Sequence, residues 1–83
     1  MTKRRVLTFK TYPYFWKLSR EGKKPFDLRL FDPEDPRFKA LEEDWRLCKI
    51  KLRNTETSEW MIRTVKGYEH VPPFMGNWVI IHF

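Results

Sequence analysis

The residues with the clearest chemical potential lie in one short stretch, Gly22-Lys23-Lys24-Pro25-Phe26-Asp27-Leu28-Arg29. A glycine turn there places Lys24 at the end of a short helix, and the alternation of the following strand puts Asp27 and Arg29 on one face. Arginine offers a planar fork to a phosphate or a base edge, and lysine offers a mobile point charge. Together with Lys10 from the preceding strand, we expect these side chains to line one polar cleft beneath the helix. In such a cleft, Asp27 orients the cations or accepts a hydrogen bond from the amino group of a base.

The same stretch also has a purely structural interpretation. In that interpretation, Asp27 and Arg29 form a salt bridge across the sheet, while Lys23 and Lys24 are solvated. A second group of cations also has two interpretations. Lys49, Lys51 and Arg53 occupy alternate positions along one strand. They are expected to form a solvated face that blunts a sheet edge, and the alternative is that they follow a nucleic-acid backbone.

Other residues with chemical potential are expected to be inert. His70 and His82 have no cysteine near them, and a metal needs three or four ligands, so we expect no metal site. The single cysteine, Cys48, lies on the apolar face of a strand and is expected to be a small core residue. The three glycines form no phosphate-cradling loop, so no cofactor is expected.

Alternation and turn residues in the sequence predict the helix and the strands that must position these residues. We predict one helix that begins at Pro13 and stops at Gly22, with Tyr14, Phe15 and Leu18 on one face. Five short strands are predicted, at 5–10, 26–30, 46–53, 59–66 and 78–83, the last of them buried on both faces near Ile80. In the second strand, Phe26, Leu28 and Leu30 take the face opposite Asp27 and Arg29. Asp35 is expected to cap a single helical turn that starts at Pro36 and carries Phe38 and Leu41 inward, and 68–77 is expected to be a loop.

The whole chain, residues 1–83, is expected to form a single α+β domain that is mainly β. A small, strongly curved sheet or partly closed β-barrel, with the one short helix after the first strand plugging an end, buries its edges best. Aromatic residues make up 17% of the chain, which argues against disorder. No apolar run approaches the length of a membrane span and no signal-peptide core follows the basic N-terminus, so no membrane partner and a cytoplasmic location are expected.

Several pieces of the chain resemble the ASCH family, a branch of the PUA-like fold. The stretch 22–29 is similar to the family's Gly-x-Lys turn, which leads into a strand with an acidic or polar residue and an arginine. Three further pieces resemble its opening, its Gly-Asp turn and its last strand: Lys10-Thr11 with Tyr14-Phe15, then Glu43-Asp44-Trp45, then Asn77 to Phe83. The resemblance implies a PUA-like fold and a module that binds RNA or a nucleotide. The basic cleft under the first helix would hold that ligand, using Lys10, Lys23, Lys24, Asp27 and Arg29, with Tyr12 or Trp16 stacking on a base.

Two alternatives accompany this interpretation. Some ASCH members resemble amidohydrolases that act on acetylated cytidine, and their catalytic pattern would fall on Lys24, Asp27 and Glu69 here. The family has a threonine where this chain has Asp27, and a carboxylate cannot supply a hydroxyl nucleophile, so the resemblance favours binding over catalysis. The other alternative is a small protein-interaction factor that docks on a host protein, because so short a chain lacks the extra helix of longer members.

Overall fold

A computed structural model describes residues 5–71 and 77–83. Within these ranges the chain forms six strands and two α-helices. In chain order they are β1 (Arg5–Thr11), α1 (Pro13–Arg20), β2 (Phe26–Leu30), α2 (Pro36–Asp44), β3 (Cys48–Asn54), β4 (Trp60–Thr64), β5 (Gly67–Val71) and β6 (Trp78–His82). A 3₁₀ turn, Trp45–Leu47, joins α2 to β3.

The strands divide into two three-stranded sheets. The first sheet has the order β1-β3-β4, and the second has the order β2-β6-β5. The β1–β3 pair is parallel and the other pairs are antiparallel. A parallel pair needs a long crossover, which the chain from α1 to α2 supplies. The α+β, mainly β class is confirmed, whereas the described strands form two separate sheets and no closed barrel.

One hydrophobic core draws on both sheets and both helices. The side chains that are almost fully buried share an inward position on their elements: Phe9, Leu41, Cys48, Ile50, Leu52, Val79 and Ile81. The predicted inward positions of Phe38 and Leu41 on α2 are confirmed. Ile80 is only half-buried, so the expectation that β6 is buried on both faces is wrong. The strand instead alternates, as it does in a sheet with one face against the core.

The predicted stop of α1 at Gly22 is confirmed, and the helix buries a different face than the pattern indicated. Gly22 has a φ of 76°, which glycine adopts without steric cost, and its N–H donates to the carbonyl of Ser19. The buried residues of α1 are Trp16 and Ser19. Tyr14 is 68% exposed, so it lies on the solvent side of the helix.

Two elements differ from the prediction. The helical turn at Pro36 continues for nine residues to Asp44, because Phe38, Ala40 and Leu41 all pack into the core. The cap predicted at Asp35 is confirmed, since its carboxylate accepts from the backbone N–H of Arg37 at 2.9 Å. Part of the expected loop at 68–77 is instead strand β5, which pairs with β6, and residues 72–76 lie outside the described residues.

Candidate functional site

A cleft of about 490 Å³ lies between β1 and β2, which are edge strands of the two sheets. The end of β1, helix α1, strand β2 and the start of β6 all contribute to its walls. The residues that line it are Lys10, Thr11, Tyr12, Phe15, Lys24, Phe26, Asp27, Leu28, Arg29 and Trp78. Ligand sites in proteins typically measure about 300–1,000 Å³, so the cleft is large enough for a small ligand. The four residues predicted to share one cleft, Lys10, Lys24, Asp27 and Arg29, all line this one.

Asp27 is the buried centre of this cleft. Its side chain is only 6% exposed, although it stands on a strand whose apolar residues face solvent. The carboxylate accepts from Arg29 Nε at 2.5 Å through Oδ2, and Lys24 Nζ lies 3.7 Å from Oδ1. Two cations therefore share one carboxylate, and the group carries one net positive charge. An anionic ligand is the partner that would balance this charge.

Arg29 also ties the two sheets together. Its Nη2 donates to the carbonyl of Lys10 at 2.7 Å and to Thr11 Oγ1 at 3.3 Å, both on β1. The salt bridge between Asp27 and Arg29 is thus present and lies inside the cleft. The structural interpretation also expected Lys24 to be solvated, and this is wrong, because the Lys24 side chain is only 17% exposed and its ammonium lies beside Asp27.

A second arginine, which was not among the predicted site residues, repeats this arrangement. Arg37 pairs with Asp35, two residues before it, and donates through Nη1 to the carbonyl of Thr8 at 2.8 Å. The guanidinium carbons of Arg29 and Arg37 lie 4.9 and 4.3 Å from the centroid of the Phe9 ring. The two arginines therefore bond alternate carbonyls of edge strand β1. The signal in the sequence is the repeated Asp-x-Arg spacing at 27–29 and 35–37.

Exposed aromatic side chains form the rim of the cleft. Tyr12 is 71% exposed, Phe15 is 42% exposed and Phe26 is 39% exposed. The Lys24 ammonium lies 5.0 Å from the Phe15 ring centroid and 5.3 Å from that of Phe26. Both distances are within the range of a cation–π contact. The rim thus combines a cation with rings on which a planar base can stack.

Two residues predicted for binding do not line the cleft. Trp16 is buried in the core, and its Nε1–H donates to the carbonyl of Leu52 at 3.1 Å, so the indole offers no exposed face for stacking. Lys23 points into solvent and pairs with Glu21 at 3.2 Å. Tyr12 is therefore the predicted stacking residue that the structure places at the cleft.

The catalytic set implied by the amidohydrolase resemblance is not assembled. Lys24 and Asp27 are adjacent, whereas Glu69 stands on β5, where its carboxylate lies 3.1 Å from His82 Nε2. Cys48 is buried, and this burial raises the pKa of its thiol, as expected of a core residue rather than a nucleophile.

The row Lys49, Lys51 and Arg53 lies on β3, which is the middle strand of the first sheet. The expectation that these cations blunt a sheet edge is therefore wrong. Within the part of the chain that the structure describes, no three His, Cys, Asp or Glu side chains gather where they would hold a metal ion. No helix in residues 5–71 and 77–83 is long and apolar enough to cross a membrane.

Comparison of the chain with protein-family models, with curated protein sequences and with solved structures found no match. The resemblance to the ASCH family therefore rests on its motif residues. Some of these line the cleft, among them Lys10, Phe15, Lys24, Asp27 and Arg29.

Proposed function

We propose that this protein is a PUA-like module of the ASCH type that binds RNA or a nucleotide in the cleft between β1 and β2. The observation that carries the proposal is the buried Asp27 carboxylate, which holds Lys24 and Arg29 inside a cleft with an aromatic rim. A phosphate and a base are the two chemical groups that such a combination recognises.

The donors that remain free favour a phosphate. Among the described residues, neither the Lys10 ammonium nor Arg29 Nη1 has a hydrogen-bond or ion-pair partner. Both belong to side chains that line the cleft, as does the Lys24 ammonium. Because both oxygens of Asp27 already face cations, this carboxylate orients the cations rather than accepting from a base. A nucleotide phosphate would then lie against the lysines, with its base on Tyr12 or Phe15.

The test is fluorescence anisotropy of a labelled single-stranded RNA, with uridine monophosphate as a competitor. Lys24→Gln should weaken binding about tenfold, since a hydrogen bond to a charged group contributes on the order of 1.5–3 kcal/mol. The control is Lys39→Gln, because Lys39 is an exposed lysine of α2 outside the cleft and its loss removes the same charge. Arg29 is a poorer test, because its substitution would also remove the hydrogen bonds that join β2 to β1.

The stacking part of the proposal is tested at Tyr12. Tyr12→Ala should cost about fivefold in affinity and Tyr12→Phe much less, because base stacking on an aromatic ring contributes about 1 kcal/mol or more. Absence of binding at 20 mM salt, or equal affinities for the Lys24 and Lys39 variants, would contradict the proposed function.

A further inference from the structure

The outer face of the first sheet carries a row of cations on its central strand. The strand register places Arg53 between Lys10 and Trp60, and Lys51 between Thr8 and Ile62. Lys49 continues the row next to Val6. The inward positions of the same strands hold the core, which fixes these residues on the solvent side. We call Lys10, Lys49, Lys51, Arg53 and Trp60 the basic sheet face.

The basic sheet face holds like charges without compensation. Side chains at alternate positions of a strand are about 6.6 Å apart, so Lys49, Lys51 and Arg53 repel one another. Among the described residues none of these cations has an ion pair, and Arg53 Nη2 donates only to Ser58 Oγ at 3.3 Å. No acidic residue occupies this face in the register of the three strands. Because β3 is not an edge strand, edge protection does not explain the row, whereas an anionic partner does.

An exposed tryptophan stands beside these cations. Trp60 is 57% exposed, and Lys51 Nζ lies 4.6 Å from its ring centroid. A tryptophan of this kind within a cationic surface is a stacking platform for an unpaired base. Bases inside a duplex cannot reach such a platform, so this feature favours a single strand.

The basic sheet face and the cleft meet at Lys10. Lys10 lines the cleft and also a neighbouring hollow of about 250 Å³, which Arg53 and Asn54 share. From Arg53 to Lys49 the row extends for about 13 Å, at about 3.3 Å per residue. The cationic surface is therefore continuous from the cleft along the central strand.

We propose that the ligand is a single-stranded nucleic acid several nucleotides long, with one nucleotide in the cleft and its backbone on the basic sheet face. Lys49, Lys51 and Arg53 contact successive phosphates, and a base stacks on Trp60. This inference rests on the proposed function, because it extends the strand out of the cleft. Oligonucleotide-binding domains of similar size cover about 4–16 nucleotides, in keeping with the extent of the surface.

The experiment compares uridine monophosphate, a uridine dinucleotide and a 12-nucleotide oligo(U) by anisotropy or competition between 20 and 200 mM salt. The variant is Lys49→Gln with Lys51→Gln, and its charge-matched control is Lys39→Gln with Lys66→Gln, both of them exposed lysines off the basic sheet face. We expect the 12-mer to bind at least tenfold more tightly than the dinucleotide, which is too short to reach along the row. The slope of log affinity against log salt should fall by about 1.4 in the variant, at roughly 0.7 per phosphate contact, and should not change in the control.

A second variant tests the platform. Trp60→Ala should weaken the 12-mer about fivefold and leave the mononucleotide unchanged, because stacking contributes about 1 kcal/mol or more per base and 1.4 kcal/mol is tenfold. Trp60→Phe, which keeps a ring, should retain most of the affinity.

Equal affinity for the dinucleotide and the 12-mer, or an unchanged salt slope in the Lys49 and Lys51 variant, would overturn the inference. Equally tight binding of a 12-base-pair duplex, or of polyglutamate, would overturn it as well, since the surface would then recognise charge alone. Mononucleotide binding that depends on Lys24 would leave the proposed function intact in each case. Conversely, 12-mer binding that needs Lys49 and Lys51 but not Lys24 would contradict the cleft and support the basic sheet face.

Discussion

Asp35 performs two tasks at the start of α2. Its Oδ1 accepts from the backbone N–H of Arg37, which caps the helix, and its carboxylate also pairs with the Arg37 guanidinium through Oδ2 at 2.6 Å. The hydrogen bond from the Arg37 side chain lowers the pKa of Asp35 below its ordinary value near 3.8. A carboxyl group whose pKa is lowered by folding stabilises the folded state above its unfolded pKa. This stabilisation is lost as the pH falls through the folded pKa.

The matched pair Asp35→Asn and Asp35→Ala separates the two tasks. Asparagine keeps an N-cap acceptor and loses the charge, whereas alanine loses both, at a cost of about 1 kcal/mol for the cap. At pH 7 we expect the free energy of unfolding to fall from wild type to Asp35→Asn to Asp35→Ala. Urea unfolding between pH 7 and pH 2.5 should show the wild type and Asp35→Asn converging at the acid end. If the difference in unfolding free energy between the wild type and Asp35→Asn stays constant over this pH range, the ion pair is not its cause.

At this scale, the sequence predicted the cleft better than it predicted the rim. Lys24, Asp27 and Arg29 lie together because of a glycine turn and the alternation of a strand. Both are local features that can be recognised in the sequence. Trp16 was misplaced as a stacking residue because its indole is fixed by a carbonyl at Leu52, on a strand far away in the chain. Such a contact depends on tertiary packing, which periodicity does not contain.

Among the elements, β2 has its apolar face outside. Leu28 is 47% exposed and Leu30 is 55% exposed, whereas Asp27 is buried between its cations. Alternation shows that a strand has two faces, but it does not show which face meets the core. Here the buried carboxylate is compensated by Lys24 and Arg29, which makes the polar side the inner one.

This orientation predicts an unequal pair of leucine substitutions. Leu30→Ala should lower the free energy of unfolding by at most about 1 kcal/mol, because much of its side chain already contacts solvent. Leu52→Ala removes the same atoms from a fully buried site and should cost about 3–5 kcal/mol. Chemical denaturation of both variants is the measurement, and equal losses would mean that Leu30 also lies in the core.

Helix α2 and strand β5 show why sequence patterns do not predict every element. The core positions of α2 are carried by Phe38, Ala40 and Leu41 alone, too few to show a helical period against its charged residues. Strand β5 contains Glu69 and His70, and it is a strand because it pairs with β6. Because this pairing involves a segment elsewhere in the chain, the residues of β5 alone do not show that it is a strand.

For the molecule as a whole, charge distribution matters more than net charge. The chain carries seventeen lysines and arginines against eleven aspartates and glutamates. Many of these charges are paired within the described residues, as at Asp27, Asp35 and Glu59. An excess of positive charge lies on the basic sheet face, where Lys10, Lys49, Lys51 and Arg53 have no ion pair among the described residues. Without a ligand, this excess destabilises the folded state through self-repulsion.

Salt should therefore stabilise the free protein and weaken its complex with the oligonucleotide. Raising NaCl from 20 to 200 mM screens the repulsion, and a gain of about 0.5 kcal/mol would raise the Tm by about 2–4 °C. The same salt weakens phosphate contacts, so the extra Tm conferred by a 12-mer oligo(U) should shrink. Scanning calorimetry with and without the oligonucleotide measures both changes.

The Lys49→Gln, Lys51→Gln variant should lose most of the salt-induced rise, and the Lys39→Gln, Lys66→Gln control should keep it. A Tm of the free protein that falls with salt would mean that its ion pairs outweigh the unpaired cations of the basic sheet face.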